Sequence, residues 1–200
     1  APYCSHGRAF KLMPGSLLRL DAAAAAAGAA AHDPQRAQQR WWDPRERMRK
    51  AIATPFVGGD DEAAAALDAV LRDAVGLRMV ADVPVGVFLS GGTDSSTVAA
   101  LMQAQSAEPV RSFTIGFRGS DHDEAPRARE VADYLGTAHT EFEVDGADAL
   151  AVVPQLPAMF DEPFADASQV PTAMVSRLAR QEVTVVLSGD GGDELFFGYG

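Results

Sequence analysis

Val85-Gly-Val-Phe-Leu-Ser-Gly-Gly-Thr-Asp-Ser-Ser-Thr-Val98 decides how the rest of the chain is read. Val85 to Leu89 is an apolar run of strand length, Gly91 and Gly92 follow at once, and Val98, Leu101 and Met102 recur at helical spacing. The expectation is a strand, a glycine turn and a helix. Such a turn aims backbone N–H groups and the positive end of a helix at one point, where Ser90, Thr93, Ser95 and Ser96 add hydroxyl donors. A phosphate chain suits that point. Asp94 would repel phosphates unless a cation lay between, so its presence implies Mg²⁺. The stretch is neither a Walker A loop, for want of a Gly-Lys-Ser/Thr, nor a Gly-x-Gly-x-x-Gly fingerprint. The competing reading is an ordinary glycine-rich turn between strand and helix.

Outward from this stretch the pattern is regular. Asp60 and Asp61 can cap a helix with Leu67, Val70, Leu71 and Ala74 on its apolar face. Val110 to Phe117 reads as a second strand, Asp123 as the cap of a helix with Ala128, Val131, Ala132 and Leu135 inward and Gly136 at its end, and His139 to Val144 as a third strand. Gly146 to Phe160 is apolar but broken by Pro154 and Pro157, which predicts two short helical pieces. Ser168 can cap a helix with Pro171 in its first turn and Met174, Val175 and Leu178 on one face. Val183 to Leu187 reads as a fourth strand, apolar enough to be covered on both sides. Alternating strands and helices predict a doubly wound α/β domain with a parallel sheet, its ligands at the carboxyl ends of the strands.

Residues 1 to about 44 differ in character from the rest. Tyr3 to Arg19 carries turn signals at Gly7 and Pro14-Gly15, Leu17-Leu18 is a short apolar run, and Trp41-Trp42 follows a polar stretch. These predict a few short strands without a complete core. The alanine run from Ala22 to Ala31 has little to bury and reads equally as a helix or as an exposed insert.

The fourth strand leads into Ser188-Gly-Asp-Gly-Gly-Asp-Glu194, three carboxylates, three glycines and a hydroxyl in seven residues. Glycines let a ligand approach the backbone, and carboxylates can hold metal or position an attacking group. Turn formation and an acidic first helical turn would account for the same residues.

At 47% hydrophobic and 22% charged residues the 200-residue chain has a globular composition, and its net charge of −11 argues against an extended nucleic-acid surface. Cys4 is the only cysteine, which excludes an internal disulfide and a multi-cysteine zinc site and agrees with a reducing cytoplasm. Ala22 to Ala31 is too short and too weakly apolar for a membrane span, and nothing reads as a signal peptide, so a soluble, cytoplasmic protein is expected.

Ser90-Gly91-Gly92-Thr93-Asp94-Ser95 resembles the Ser-Gly-Gly-x-Asp-Ser pyrophosphate loop of ATP pyrophosphatases, which cleave ATP between its α and β phosphates. With the second loop about a hundred residues later, the pair resembles the synthetase domain of the glutamine-hydrolysing asparagine synthetases. Asp82-Val-Pro-Val-Gly-Val-Phe-Leu, Ser112-Phe-Thr-Ile-Gly-Phe117, Asp123-Glu-Ala with Ala132 and Leu135-Gly-Thr137, Asp161-Glu-Pro-Phe-Ala-Asp166 and Pro171-Thr172 are similar to that family as well. Trp42-Asp43-Pro44 resembles the segment by which the family leaves its glutaminase domain. The implied organisation is residues 1–44 as the carboxyl-terminal remnant of a glutaminase domain and 45–200 as an ATP-pyrophosphatase-type synthetase domain truncated at its carboxyl-terminal end.

By that resemblance Leu89 and Ile115 would contact the adenosine part of ATP, with Ser188 and Gly189 nearby. Ser90, Gly91, Gly92, Asp94 and Ser95 would hold the pyrophosphate, and Asp94 with Asp193 would ligate Mg²⁺. Asp190 would serve formation of an acyl-adenylate, with Glu194 supporting the same corner. Ile115 reads equally as a plain core residue. The implied reaction is adenylation of the aspartate side-chain carboxylate with release of pyrophosphate, then amidation by ammonia from glutamine. The partners are small molecules, with no nucleic acid and no membrane, and a homodimer is compatible. Two other readings stay open: a β-lactam-forming synthetase that adenylates another carboxylate without ammonia, and a non-catalytic nucleotide-binding scaffold. The family's glutaminase nucleophile is a cysteine at the first position, where this chain has Ala1-Pro2-Tyr3-Cys4, so Cys4 is not its counterpart. Phe197 stands where the family usually has glycine, a change expected to move the loop or forbid a positive φ.

Overall fold

The run from Val85 enters a sheet at its centre, and the sheet is what places everything after it. The chain is described by a computed structural model covering residues 4, 9–27, 38–117, 123–163, 165–196 and 198. It divides into two units, residues 1–63 and residues 64–200. Ala1, Pro2, Tyr3, Gly7, residues 28–31, Phe164 and Phe197, all used in reading the sequence, lie outside the described residues.

In the first unit β1 (Ser16–Leu18) pairs antiparallel with β2 (Gln38–Arg40). The Gly15 carbonyl accepts the N–H groups of Trp41 and Trp42 at 2.9 and 3.1 Å. Part of the alanine run forms α1 (Ala22–Ala27). A helix that periodicity does not announce, α2 (Pro44–Ala53), starts at Asp43, whose Oδ1 accepts the Arg45 N–H at 2.9 Å. Asp-Pro at a helix start is a readable signal: the carboxylate caps and proline tolerates the first turn. No residue of α2 is buried and Trp41 is 70% exposed, so this unit has little core of its own.

The second unit takes most of α3 (Asp60–Met79), then β3 (Val85–Phe88), α4 (Thr93–Gln103), β4 (Arg111–Phe117), α5 (Ala125–Leu135) and β5 (Ala138–Val144). After these come α6 (Gly146–Val152), a 3₁₀ turn (Val153–Gln155), α7 (Leu156–Met159), α8 (Gln169–Ala179), β6 (Val185–Leu187) and α9 (Gly192–Phe196). The sheet order is β5-β4-β3-β6 and every pairing is parallel. The doubly wound α/β expectation therefore holds. One face carries Val87 and Leu89 against Val75 of α3, Ala99, Leu101 and Met102 of α4, and Ala128 and Ala132 of α5. The other carries Phe113, with Phe88, Ile115 and Phe142, against Val175 and Ala179 of α8. Each fully buried Phe, Leu or Met on these faces contributes about 1.5–3 kcal/mol of apolar burial.

Several local expectations are corrected. On α3 the face toward the core is Val75 with Leu71 and Met79, whereas Val70 is 65% exposed and Leu67 is exposed too. An alanine-rich helix offers more than one apolar stripe, and periodicity does not say which one meets the sheet. Ser168 makes no side-chain cap on α8; its N–H instead donates to Asp166 Oδ1 at 2.8 Å, so the carboxylate orders this turn. Asp123 stands one residue before the cap position of α5 and accepts the Ala125 N–H at 3.2 Å, while Gly136 ends the helix at φ +71° as expected. The stretch 146–160 makes three pieces because Pro154 fits the first turn of a 3₁₀ segment. The fourth strand is only Val185–Leu187, pairs with β3 alone among the described strands, and leaves Val185 39% exposed.

The connections explain why the sheet ends in a site. β3, β4 and β5 are joined through α4 and α5 on one face, while β6 is reached through α8 on the other and falls on the opposite side of β3. Strand order therefore reverses at β3, and the crevice at the carboxyl ends of β3 and β6 is where such sheets bind ligands.

Candidate functional site

Leu89 leaves β3 with its N–H on the Phe113 carbonyl at 2.9 Å and its side chain 1% exposed in the core, so the loop that follows starts from a fixed point. Ser95 then closes the loop from within. Its Oγ accepts the Ser90 N–H at 3.1 Å and lies 2.9 Å from Ser90 Oγ, and Ser90 Oγ accepts the Gly92 N–H at 3.3 Å. Both hydroxyls spend capacity inside the loop. Gly91 has φ +75°, and a Cβ there would fall 2.6 Å from Arg127 Cγ and 2.8 Å from the Ala128 nitrogen of α5. Only glycine permits both the conformation and the approach. Gly92 takes the N-cap position of α4 without a side-chain cap, and Asp94 lies in that helix's first turn. Ser96, counted among the donors from sequence, has its Oγ buried without a partner and does not line the cavity described below.

The loop after β6 is looser. Ser188 Oγ donates to Asp190 Oδ2 at 3.0 Å, and the Gly192 N–H reaches the Gly189 carbonyl at 3.1 Å. Asp193 and Glu194 do occupy the first turn of α9, as the turn-forming reading of these residues anticipates. What sequence could not show is where this loop goes. A Cβ on Gly189 would stand 2.7 Å from the Ser95 nitrogen and 3.0 Å from Asp94 Cβ, and one on Gly192 would overlap the Asp94 carboxylate. The two loops are in contact across Asp94.

Above them opens a cavity of about 1260 Å³. Leu89, Ser90, Gly92, Asp94, Ser95, Ile115, Ser188, Gly189, Asp190, Asp193 and Glu194 all line it; of the sequence-predicted residues Gly91, like Ser96, does not. Ile115 also packs against both clusters on the α8 face, so the core role and the wall role coincide. The lining also includes residues to which the sequence reading assigned no site role, among them Glu124, Phe117, Phe160, Asp166, Gln169 and Thr172. Asp166 is held below its ordinary carboxylate pKa by the hydrogen bonds of Ser168. A signal existed, since Asp161 to Thr172 carries family-like residues, but these follow no strand.

Among the described residues six carboxylates line the cavity and no lysine or arginine does. Among the described residues no three acidic, histidine or cysteine groups converge as a metal cage. The donor set nonetheless suits Mg²⁺, which is commonly bound by one or two carboxylates together with substrate phosphates. Asp94, against Gly192, offers one such carboxylate, and Asp193 in the first turn of α9, its carboxylate toward Gly198, offers a second. The arrangement can hold a polyphosphate through backbone N–H groups and metal at one end, and an apolar group against Ile115 and Phe117 at the other.

Residues 66–200 match the asparagine synthase family. The putative asparagine synthetase [glutamine-hydrolyzing] 2 of Methanocaldococcus jannaschii is 48% identical over 131 residues, 65% of this chain and 25% of that protein. Asparagine synthetase [glutamine-hydrolyzing] 1 of Bacillus subtilis is 35% identical over 75% of this chain and 24% of its own length, and the Asparagus officinalis asparagine synthetase is 38% identical over 80% and 28%. The chain thus spans about a quarter of the length of these relatives. Among solved structures, the NH3-dependent NAD synthetase of Campylobacter jejuni superposes over 68% of this chain and 60% of that one at a TM-score of 0.49 and 17% identity. No helix among the described residues is long and apolar enough to cross a membrane.

Proposed function

This chain belongs to the asparagine synthase family, and from that premise we propose that it is the ATP-binding part of a synthetase that adenylates a carboxylate for amide formation. The observation that carries the reading is the meeting of the two loops at Asp94, beneath a cavity at the point where strand order reverses. In the proposed reaction a carboxylate oxygen of aspartate attacks the α-phosphorus of ATP, the bond to the β-phosphate oxygen breaks, and pyrophosphate leaves. Ammonia derived from glutamine then displaces AMP from the acyl-adenylate.

The chain's own residues orient the reactants and stabilise charge, which is most of what phosphoryl chemistry asks of a protein. N–H groups of the first loop and the α4 amino terminus face the β- and γ-phosphates, with Ser90 and Ser95 fixing the loop's shape. Asp94 and Asp193 would hold Mg²⁺, which when bound offsets phosphate charge and makes pyrophosphate a better leaving group. Leu89 and Ile115 bound the adenosine end. Asp190 and Glu194 stand at the corner where the carboxylate would meet the α-phosphate. Aspartate as the acid is supported by the relatives' names alone.

Calorimetric titration of the chain with a non-hydrolysable ATP analogue, with and without Mg²⁺, tests the site. Metal-dependent binding is expected. Absence of binding, or binding indifferent to the metal, would overturn the reading. In a protein spanning the full length of these relatives, pyrophosphate release dependent on aspartate is expected, and release with another acid but not with aspartate would overturn the substrate.

A further inference from the structure

The cavity poses an electrostatic problem that its own lining does not solve. Bound ATP would face Asp94, Glu124, Asp166, Asp190, Asp193 and Glu194, with no lysine or arginine in the wall among the described residues. A divalent cation offsets part of that charge, and the negative charge grows at the leaving pyrophosphate as the bond breaks. A cation beside the first loop would meet the need.

Most arginines packed around the sheet are already engaged. Arg129 forms a two-pronged pair with Glu141, its Nη2 donating at 2.6 and 2.7 Å. Arg111 donates to the Glu182 carbonyl at 2.8 Å, and Arg177 donates to Gln155 Oε1 at 2.7 Å. Arg127 is different. It is exposed, its guanidinium makes no ion pair or hydrogen bond among the described residues, and it belongs to the first turn of α5 at the carboxyl end of the sheet. Its Cγ lies just 2.6 Å from where a Cβ on Gly91 would be, so its stem runs along the back of the phosphate loop with Cδ and the guanidinium still to extend beyond that point. A planar fork of N–H donors suits the paired oxygens of a diphosphate.

We propose that Arg127 is a pyrophosphate-binding residue of this site, closing over the first loop from the α5 side and carrying part of the charge that develops on the leaving group. The inference rests on the ATP reading above and adds a ligand to it. It also gives the approach at Gly91 a second meaning: the missing side chain lets the arginine stem lie flat against the loop.

The test compares the wild-type chain with Arg127→Met, which keeps the aliphatic stem, and Arg127→Lys, which keeps the charge. Each is titrated with Mg²⁺-pyrophosphate, with a non-hydrolysable ATP analogue plus Mg²⁺, and with AMP. The methionine variant is expected to lose about tenfold in affinity for pyrophosphate and for the analogue. AMP binding should be unchanged, and lysine should restore part of the loss. Unchanged analogue affinity in Arg127→Met would overturn the proposal while leaving the ATP site standing. Equal losses for AMP and the analogue would also overturn it, by showing that the residue only shapes the loop. If the wild-type chain bound none of the three ligands, the ATP reading itself would fall and this inference with it.

Discussion

The loop after β3 and the loop after β6 are built from the same residue types, serine, glycine and aspartate, yet they are held in different ways. The first rises from a central strand paired on both sides, is tied by Ser95 to its own start, and is backed by α5 at Gly91. The second rises from a three-residue strand paired on one side among the described strands, and its acidic residues 190 and 194 are exposed. Its firmest constraint is external: Gly189 and Gly192 fit around Asp94 because they lack side chains. One loop carries its own shape and the other borrows it. Phosphate binding asks for the first property, since N–H groups must be in place before the ligand arrives. Carboxylates that meet a metal and a second substrate can use the second.

The largest test of this contrast removes what the loops share. Phe113 is fully buried under β3, its ring stacks on Phe142 at 6.5 Å, and its carbonyl anchors Leu89. Phe113→Ala should cost about 3–5 kcal/mol in urea unfolding. Both loops should fail together; retained Mg²⁺-ATP-analogue binding at full affinity would show that the first loop does not depend on its anchor.

Next in size is the borrowed shape. Gly189→Ala places a methyl against the Ser95 nitrogen and the Asp94 backbone, and overpacking of this kind costs about 1–3 kcal/mol. Analogue affinity should fall about 10- to 100-fold. Gly191→Ala is the control, because nothing lies within 4 Å of its Cβ position and only its φ of +93° resists, a strain of about 1 kcal/mol. If calorimetry found the two variants equal, contact with Asp94 would not be what positions the second loop.

The carboxylates give a smaller and directional effect. Asp94→Asn should lower Mg²⁺-dependent affinity at least about tenfold, given the several kcal/mol a metal supplies to a phosphoryl site. Asp193→Asn should do less, since it stands on the looser loop. The reverse order in the same titration would break the comparison.

The smallest effect lies away from both loops. His139 is the second residue of β5, its Nδ1 is 2.8 Å from Ser112 Oγ, and its Nε2 is buried without a partner among the described residues. Burial lowers its pKa, partly opposed by the carboxylates of Glu141 and Asp133 and reinforced by Arg129. The folded state therefore resists the proton. Its stabilising contribution is complete above the unfolded value of about 6.5, falls as pH drops below that value, and is fully lost below the folded-state pKa. Comparing urea midpoints of wild type and His139→Asn at two pH values should show the gap between them change in that direction. A constant gap would mean that the histidine does not titrate there.

What could be read from sequence follows how local each feature is. The turn at Ser90–Ser95 was legible because glycine and serine chemistry acts within six residues. The doubly wound parallel sheet followed from the alternation of elements, whereas the order of its strands, with β6 beside β3, came only from the structure. The face of α3 was misread because Leu67 and Val70 have the same spacing as the residues that do pack, and only the sheet selects between them. The helix from Pro44 went unmarked although Asp43 announced its cap. The contact of Gly189 and Gly192 with Asp94 was beyond reach, since it joins residues far apart in the chain. So was the wall from Phe160 to Thr172, which no strand introduces.

The pairing of Val85 with Val185 joins residues one hundred positions apart. Closing so long a loop costs chain entropy that local turns do not, and folding slows where such pairings dominate. The loop after β3 can take shape as soon as its strand, helix and neighbour meet, but the proposed nucleotide pocket would exist only after the edge strand has docked. Ligand that binds only the finished site therefore favours the last step of assembly, and its stabilisation grows as RT ln(1 + [L]/Kd). Nucleotide concentration would then govern how much of the chain is completely folded, making the substrate a folding cofactor for the sheet that binds it.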